Sequence, residues 1–389
     1  MNYSSLKYTR GFLLADHEVN SENLVNWKSL KNNHYYFYFN ERVNWNYYEN
    51  GEYWGCLVGS CLDPFNSTDQ LNEILEKAVN LYMNSNDSLY DYTETLVGRY
   101  LFILGKNKDV LIFSDATGMK SIFYHSEKRI IATHAKLIND ITSDGLSENV
   151  NLGWLSQYSN YHLPGHFTPY KNVYYLIPNH SLTWPNIEVK RYFPRSPIIY
   201  DHLDQKTDEI IEHTYRQLKL LSKKHKFIFS LSAGMDSRTS LSFMKDYLDQ
   251  TTFFTYYFTD SSDPNYKGSD VLNLDHKVVN SMSSDLRLNH LSLPVDRAIS
   301  KKEGFEEFEN ILKQNTFLNH SANLAKFYID YFGIDDYLHI RSTLYEIGRP
   351  VNRTKLKSKS EILDVNDAIK IYSAKAIQDN DVKKLMTSY

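Results

Sequence analysis

The chain has 389 residues, more than one typical domain, so we expect two domains. Its hydrophobic fraction of 42% is enough for ordinary globular cores and excludes a globally disordered protein. Lysine and arginine (43) nearly balance aspartate and glutamate (47), and this net charge of −4 argues against a nucleic-acid-binding surface along the whole chain.

Cysteine usage and hydropathy exclude several further classes. Two cysteines, Cys56 and Cys61, are too few for a disulfide framework or a four-thiolate zinc site. The first residues lack the charged-then-apolar build of a signal peptide, and no uninterrupted apolar run approaches about 18 residues. We therefore expect a cytoplasmic protein without a membrane span.

Aromatic and β-branched runs in the first half predict strands, with turn residues between them. The predicted strands are 35–39, 52–59, 99–104, 109–114, 121–124 and 129–133. The pair 99–104 and 109–114, separated by Gly105-Lys106-Asn107-Lys108, predicts a β-hairpin. Between the strands 52–59 and 99–104, N-cap chemistry at 67–70 precedes apolar residues at helical spacing, which predicts an amphipathic helix.

The second half alternates helices and apolar strands. A helix over 206–221 is predicted, with inward-facing side chains at Ile210, Ile211, Tyr215, Leu218 and Leu221. The run at 227–231 predicts a strand, followed by a helix over 239–247 and a strand over 252–257. Strand, helix and strand with such apolar runs indicate a parallel sheet buried on both faces.

The most informative motif follows the 227–231 strand. Residues 232–237 read Ser-x-Gly-x-Asp-Ser, at the point where a strand gives way to a helix. Unpaired amides at a helix start and the helix dipole both favour anions there. Asp236 fits an anion site when a cation accompanies the anion, most simply Mg²⁺ carried by a nucleotide. An ordinary strand-to-helix turn is the alternative, and a P-loop kinase is disfavoured because Gly-Lys-Ser/Thr is missing.

This motif resembles the loop of the pyrophosphate-loop ATPases, above all the synthetase domain of asparagine synthetase, β-lactam synthetase and lasso-peptide cyclases. The resemblance implies a C-terminal parallel-sheet domain of the adenine nucleotide alpha-hydrolase-like fold, which binds ATP and Mg²⁺. Asp236 would hold the metal. The residues that would bind the cofactor are Ser230, Leu231, Ser232, Ala233, Gly234, Asp236, Ser237, Arg238, Tyr257 and Arg341.

The first half is similar to the glutaminase domain of asparagine synthetases. The likeness rests on Gly98-Arg99-Tyr100, Asp115-x-x-Gly118, Ile122-Phe123-Tyr124 and the segment 174–180. It implies an Ntn-hydrolase-like αββα sandwich over 1–195, followed by the ATP-pyrophosphatase synthetase-like domain over 196–389. The whole fold is thus expected to combine α/β and α+β parts.

One departure bears on the first domain's activity. In that family an N-terminal Cys is the nucleophile that takes nitrogen from glutamine, whereas position 2 here is Asn2. We therefore expect no glutaminase activity. Cys56 and Cys61 are expected to be buried small hydrophobic residues and not relocated nucleophiles.

A second resemblance concerns the segment 339–349. It lies where the family carries Ser-Gly-x-Gly-x-Asp-Glu, so that Glu346 matches the Glu and Tyr345 replaces the Asp. Glu346 and Tyr345 are the catalytic candidates implied. A surface salt bridge is the alternative role for Arg341, core packing is the alternative for Tyr257, and His290 is expected to be structural.

The resemblance implies an ATP-dependent, AMP-forming ligase that adenylates a carboxylate so that an amine can form an amide or close a ring. Natural-product, peptide or surface-polysaccharide biosynthesis is the expected setting. The family's synthetase domain continues further past this signature, so a shortened domain completed by a homo- or hetero-oligomer is expected. A catalytically inactive nucleotide-binding or scaffold protein is the alternative. A tRNA thiolase is disfavoured because both cysteines lie in the other domain.

Overall fold

The computed structural model describes residues 3–148, 163, 165–197, 202–258, 268–295, 303–316, 322–334 and 337–342, with the backbone alone described at 258 and 268–273. The chain divides into two compact units. The first contains Met1–Leu220 and Glu306–His320, and the second contains Leu221–Phe305 and Ser321–Tyr389.

Strands dominate the first unit and helices flank them. Its strands are, in chain order, β1 (Phe12–Ala15), β2 (Lys28–Lys31), β3 (Tyr36–Phe39), β4 (Trp45–Asn50), β5 (Tyr53–Leu62), β6 (Val97–Lys106), β7 (Asp109–Ser114), β8 (Phe123–His125), β9 (Ile130–Ala132), β10 (Val173–Tyr175), β11 (His180–Trp184) and β12 (Glu188–Arg191). The strands of the second unit are β13 (Lys226–Ser230), β14 (Thr251–Phe258), β15 (His290–Val295) and β16 (Tyr337–Ile340).

The helices of the described residues follow the same chain order. They are α1 (Leu71–Asn84), α2 (Asn86–Thr93), α3 (Ala135–Thr142), α4 (Leu203–Leu221), α5 (Met235–Phe243), α6 (Gly268–Asp285), α7 (Phe305–Asn315) and α8 (Ala322–Phe332). Short 3₁₀ turns occur at Tyr3–Leu6, Glu22–Leu24 and Leu248–Gln250. None of the helices in the described part of the chain has the length and apolar character needed to cross a membrane.

Two antiparallel sheets form the centre of the first unit. One has the strand order β10-β8-β9-β1-β3-β2 and the other β12-β11-β7-β6-β5-β4. The predicted hairpin is β6 and β7, whose register pairs Ile103 with Ile112. Apolar side chains alternate along both strands around a polar turn, and this local pattern explains why the hairpin is predictable from the sequence.

The two sheets pack face to face, and helices cover their outer faces. Because side chains alternate along a strand, Phe37 and Phe39 enter the core between the sheets while Tyr38 faces α3. In the same way Cys56 lies between the sheets and Leu57 faces α1 and α2. The result is a four-layer helix–sheet–sheet–helix arrangement, in agreement with the αββα layering predicted for this part of the chain.

The Asp115-x-x-Gly118 turn has a local physical cause. The buried carboxylate of Asp115 accepts hydrogen bonds from the amides of Thr117 (3.1 Å), Met119 (3.1 Å) and Lys120 (2.9 Å). Gly118 adopts φ +64, and a Cβ there would lie 2.7 Å from the Pro178 side chain. The turn therefore needs both its carboxylate and its glycine.

A segment before β1 is held by α7, which returns to the first unit from far along the chain. The rings of Tyr3 and Phe308 meet edge to face at 5.1 Å. Asn315 accepts a hydrogen bond from the Thr9 amide at 2.9 Å and donates one to the Leu6 carbonyl at 2.8 Å. These contacts fix residues 3–9 in front of the strand that begins at Phe12.

A buried imidazole in this unit predicts a loss of stability in acid. Burial, and secondly the charge of Lys120, lower the pKa of His134 to about 3 from 6.5. Between these values the unfolded chain binds a proton that the folded chain does not. The free energy of unfolding should therefore fall as pH drops from about 6.5 towards 3, by up to about 1.4 kcal/mol per pH unit.

Urea unfolding at several pH values measures that slope. All tryptophans lie between positions 27 and 184, so their fluorescence reports on the first unit. His134→Phe keeps a ring beside Tyr8, whose ring centroid is 5.6 Å away, and should make the slope shallower. A variant with the wild-type slope would contradict the assignment.

The sheet of the second unit is parallel, as predicted. Its order is β15-β14-β13-β16, and every neighbouring pair is parallel. One face of β13 carries Ile228, which packs with Phe254 and with residues of α8. Phe227 and Phe229, on the other face, are also fully buried. Burial of both faces explains why the strand is an uninterrupted apolar run.

Two sequence expectations differ from the structure. Helix α5 begins at Met235, directly after the loop, and not at 239. Ile210 and Ile211, expected to face inward on α4, are 63% and 37% exposed. Most of helix α4 belongs to the first compact unit, which includes the chain up to Leu220. Its His213 stacks on Phe65, so the helix is anchored through its C-terminal half.

Candidate functional site

A cavity opens at the carboxyl ends of the parallel strands in the second unit. The strand order reverses between β13 and β16, which is where ligands bind in open parallel sheets. The cavity has a volume of about 140 Å³. Its lining residues are Ser230, Leu231, Ser232, Ser237, Phe254, Thr255, Tyr256, Asp275, Tyr328, Arg341 and Ser342.

The loop between β13 and α5 is folded by hydroxyl contacts. Ser232 Oγ lies 2.8 Å from Ser237 Oγ and accepts the Gly234 amide at 3.3 Å. Gly234 is the N-cap of α5, and the Arg238 amide donates to its carbonyl at 3.2 Å. The amides of the first turn, which have no partner within a helix, therefore start beside two hydroxyl groups. This arrangement suits phosphate or carboxylate oxygens.

Asp275 of α6 is the carboxylate of the cavity wall. Its Oδ1 accepts the Ala233 amide at 3.0 Å, which ties the loop to α6. Asp236 is half-buried in the first turn of α5 and is not among the lining residues. The loop is thus held by the carboxylate of Asp275, and a second carboxylate, that of Asp236, lies in the adjacent turn of α5.

Two imidazoles lie beside this loop. Thr255 Oγ1 donates to the Leu231 carbonyl at 2.8 Å and lies 3.0 Å from His290 Nε2. Burial, and secondly the charge of His276, lower the pKa of His290. His339 Nε2 lies 3.1 Å from Ser230 Oγ. These contacts connect all four strands of the sheet beside the cavity.

The far wall of the cavity combines a cation with aromatic rings. Arg341, directly after β16, is exposed and lines the cavity. Burial raises the pKa of Tyr328 to about 12, so its phenol stays protonated. Within the described residues, Ser342 Oγ is buried and has no hydrogen-bond partner. A buried hydroxyl in a cavity wall can donate a hydrogen bond to a polar ligand.

The structure brings together part of the predicted cofactor set. Ser230, Leu231, Ser232, Ser237 and Arg341 line the cavity. Ala233, Gly234, Asp236 and Arg238 belong to the loop or the first turn of α5 beside it, and the ring of Tyr257 lies 4.9 Å from that of His276. Tyr345 and Glu346 lie outside the described residues.

Sequence reasoning missed Asp275, Ser342 and the aromatic lining. A signal for Asp275 was present, since it lies one helical turn before the fully buried Val279 and so shares the face that packs on the sheet. Ser342 and Tyr328 had no local signal. They reach the cavity because β16 and α8 meet β13 in space.

The residues present fit a magnesium nucleotide through their anion-binding groups. The start of α5, the two loop hydroxyls, the Arg341 guanidinium and the unpartnered Ser342 hydroxyl all favour an oxygen-rich anion. Within the described residues, no group of three or more His, Cys, Asp and Glu side chains is placed to hold a metal ion. A metal at this site would share its coordination with phosphate oxygens, as Mg²⁺ commonly does.

The first unit holds no activated thiol among its described residues. Cys56 is fully buried between the sheets and Cys61 is buried beneath the helices. Burial raises the pKa of both thiols, Cys61 also through the charges of Asp63 and Asp115. The prediction that the cysteines are buried hydrophobic residues is confirmed. Strand β1 begins with Phe12, so the described residues 3–11 precede it in the chain.

Comparisons with known proteins give structural neighbours only. No family model matches the chain, and no curated protein is significantly similar to it. Glutamine phosphoribosylpyrophosphate amidotransferase from B. subtilis, complexed with ADP and GMP, shares 13% identity at a TM-score of 0.29, over 64% of this chain and 60% of that one. A structure titled the allosteric regulatory enzyme of purine biosynthesis shares 15% identity at a TM-score of 0.23, over 51% and 43%.

The chain thus spans less than two thirds of the length of either neighbour. Similarities of this size carry no argument about activity. The functional conclusion therefore rests on the geometry of the cavity.

Proposed function

We propose that the chain is an asparagine synthetase-like ligase whose second unit binds ATP with Mg²⁺ and adenylates a carboxylate. The observation that carries this is the strand–loop–helix at the switch point, where Ser232 and Ser237 lie 2.8 Å apart in a cavity that Arg341 also lines. A nitrogen nucleophile would then attack the activated acyl group. A peptide or a small acid of natural-product or surface-polysaccharide assembly is the proposed acyl substrate.

Each group at the cavity has a physical task in this reaction. The first-turn amides of α5 and the hydroxyls of Ser232 and Ser237 would hold the β- and γ-phosphates and stabilise the charge that develops on pyrophosphate. Arg341 would bind a phosphate or the substrate carboxylate through its guanidinium fork. Asp236 would bind the magnesium ion, whose charge neutralises the phosphates when it is bound. Tyr256 offers a ring for the adenine.

We infer that the first unit is an Ntn-hydrolase-like domain that precedes a pyrophosphate-loop domain in the same chain. We infer further that it has no glutaminase activity. Its four layers support the fold assignment, and its buried thiols support the missing activity. A homo- or hetero-oligomer that covers the cavity remains part of this proposal.

Calorimetry tests the nucleotide site. Wild-type protein titrated with ATP should bind one equivalent in the presence of Mg²⁺ and bind more weakly in EDTA. Pyrophosphate release with candidate carboxylates and amines then tests catalysis. Absence of binding at millimolar ATP with Mg²⁺ would refute the proposed site.

Glutamine should not be hydrolysed by the purified chain. A thioester requires an accessible thiolate, and both thiols have raised pKa values in hydrophobic cores. Ammonia release from glutamine should therefore equal the buffer rate, and Cys56→Ala should leave it unchanged. Release above the buffer rate that disappears in Cys56→Ala would show that this thiol is the nucleophile.

A scaffold that binds nucleotide without turnover is the second candidate. The hydrogen bond from the Ala233 amide to Asp275 favours it, because one donor of the loop is already occupied by a carboxylate of the chain. Measurement of pyrophosphate release distinguishes the two functions. Both predict ATP binding, and only the ligase predicts pyrophosphate release.

A further inference from the structure

Two hydroxyl–imidazole pairs link strands of the second unit, and they differ in where the hydroxyl proton goes. Thr255 lies 3.0 Å from His290, but its hydroxyl donates to the Leu231 carbonyl at 2.8 Å. A hydroxyl has one proton, so Thr255 can only accept a hydrogen bond from His290. Ser230 lies 3.1 Å from His339 Nε2, and it lines the cavity.

The sheet itself positions the second pair. The parallel register aligns Ile228 with His339, and Ser230 lies two residues further along β13. Side chains two residues apart share a face of a strand, so Ser230 and His339 are diagonal neighbours on one face. The imidazole is also confined by rings, with centroids 5.1 Å away at Tyr328 and 5.7 Å away at Phe254. Both partners are therefore supported by regular structure, which suits a reactive site.

We propose that Ser230 and His339 form a nucleophile–base pair that accepts an acyl group in the cavity. As Ser230 Oγ forms a bond to the acyl carbon, its proton passes to His339 Nε2 and the leaving group departs with the electron pair of the broken bond. The product is an ester on Ser230, which an amine can attack. With an acyl-adenylate as donor the leaving group is AMP; this choice of donor rests on the proposed function, whereas the pair itself does not.

The cavity wall supplies a donor for the charge that develops on the acyl oxygen. Ser342 Oγ is buried, belongs to the same lining and has no hydrogen-bond partner in the part of the chain that the structure describes. The start of α5, with its first-turn amides, lies at the cavity as well through Ser237. Donors aimed at a developing oxyanion are the usual complement of an activated serine.

Diisopropyl fluorophosphate, which modifies activated serines, tests the pair without any knowledge of the substrate. It should phosphorylate Ser230, forming an Oγ–P bond as the P–F bond breaks, fluoride leaves and His339 takes the proton. Peptide mass spectrometry should locate one adduct, at Ser230.

Variants distinguish the Ser230–His339 pair from the Thr255–His290 pair. Ser230→Ala should abolish the adduct, and His339→Gln should slow it by about 100-fold or more, the usual effect of a general base. His290→Gln is the matched control and should label at the wild-type rate. No adduct on the wild-type protein, an adduct at another residue, or an undiminished rate in His339→Gln would each overturn the proposed Ser230–His339 pair.

The nucleotide site and the nucleophile–base pair can fail independently. Labelling in a protein that binds no ATP would refute only the nucleotide site, and ATP binding without labelling would refute only the pair.

Discussion

Replacing Asp236 by asparagine is expected to weaken the binding of magnesium–ATP at least about tenfold, the effect seen when a group that supports a bound metal is lost. Asp236 is half-buried in the first turn of α5, beside a loop that offers amides and hydroxyls to phosphates. An amide side chain keeps the shape but removes the charge that a cation needs. Isothermal calorimetry with and without Mg²⁺ measures the change, and the loss should be confined to the metal-containing titration.

The fold should survive this change. An acidic side chain in the first turn contributes only about 0.3–1 kcal/mol through the helix dipole. Asp246→Asn is the matched control, since Asp246 is an exposed carboxylate past the other end of α5. Equal ATP affinities for the wild type, Asp236→Asn and Asp246→Asn would show that Asp236 does not hold the metal.

Replacing Phe37 by alanine is expected to lower the free energy of unfolding of the first unit by about 3–5 kcal/mol. Phe37 is fully buried between the two sheets. Its ring lies 5.7 Å from Trp54 and 5.8 Å from Tyr47, in edge-to-face contacts that alanine cannot make. The cavity left behind is lined by large rings that cannot collapse easily, which places the loss in the upper part of the range for buried residues.

Urea unfolding followed by tryptophan fluorescence measures this loss, because every tryptophan of the chain belongs to the first unit. Val25→Ala is the control. Val25 is 76% exposed, so its change should stay within about 0.5 kcal/mol. A Phe37→Ala protein as stable as Val25→Ala would mean that the core between the sheets does not hold the unit together.

The parts of the fold with local causes were predictable from sequence. Alternating side chains identified the β6–β7 hairpin, and apolar spacing identified α1, whose buried residues are Ile74, Leu75, Ala78 and Val79. The loop after β13 was predictable because hydroxyls, glycine and a carboxylate at a strand-to-helix junction share one physical explanation. In each case the information lies within about ten residues of the chain.

The remainder depends on contacts between distant segments. Nothing local shows that α7 returns to the first unit, where Asn315 binds the segment before β1. The apolar Ile210 predicted an inward face for α4, yet its side chain is 63% exposed, whereas His213 of the same helix stacks on Phe65. Asp275 could have been placed by its spacing from Val279, whereas Ser342 and Tyr328 reach the cavity only through the pairing of β16 with β13.

A crystal structure with Mg²⁺ and the non-hydrolysable analogue α,β-methylene ATP would show whether the cavity of the second unit binds a magnesium nucleotide. We expect the triphosphate against the Ser232–Ser237 loop and the first turn of α5, the metal beside Asp236, and Arg341 within hydrogen-bonding distance of a phosphate. The adenine should lie near Tyr256 at the end of β14. A nucleotide bound elsewhere on the chain, or no nucleotide at saturating concentration, would show that this cavity is not the nucleotide site.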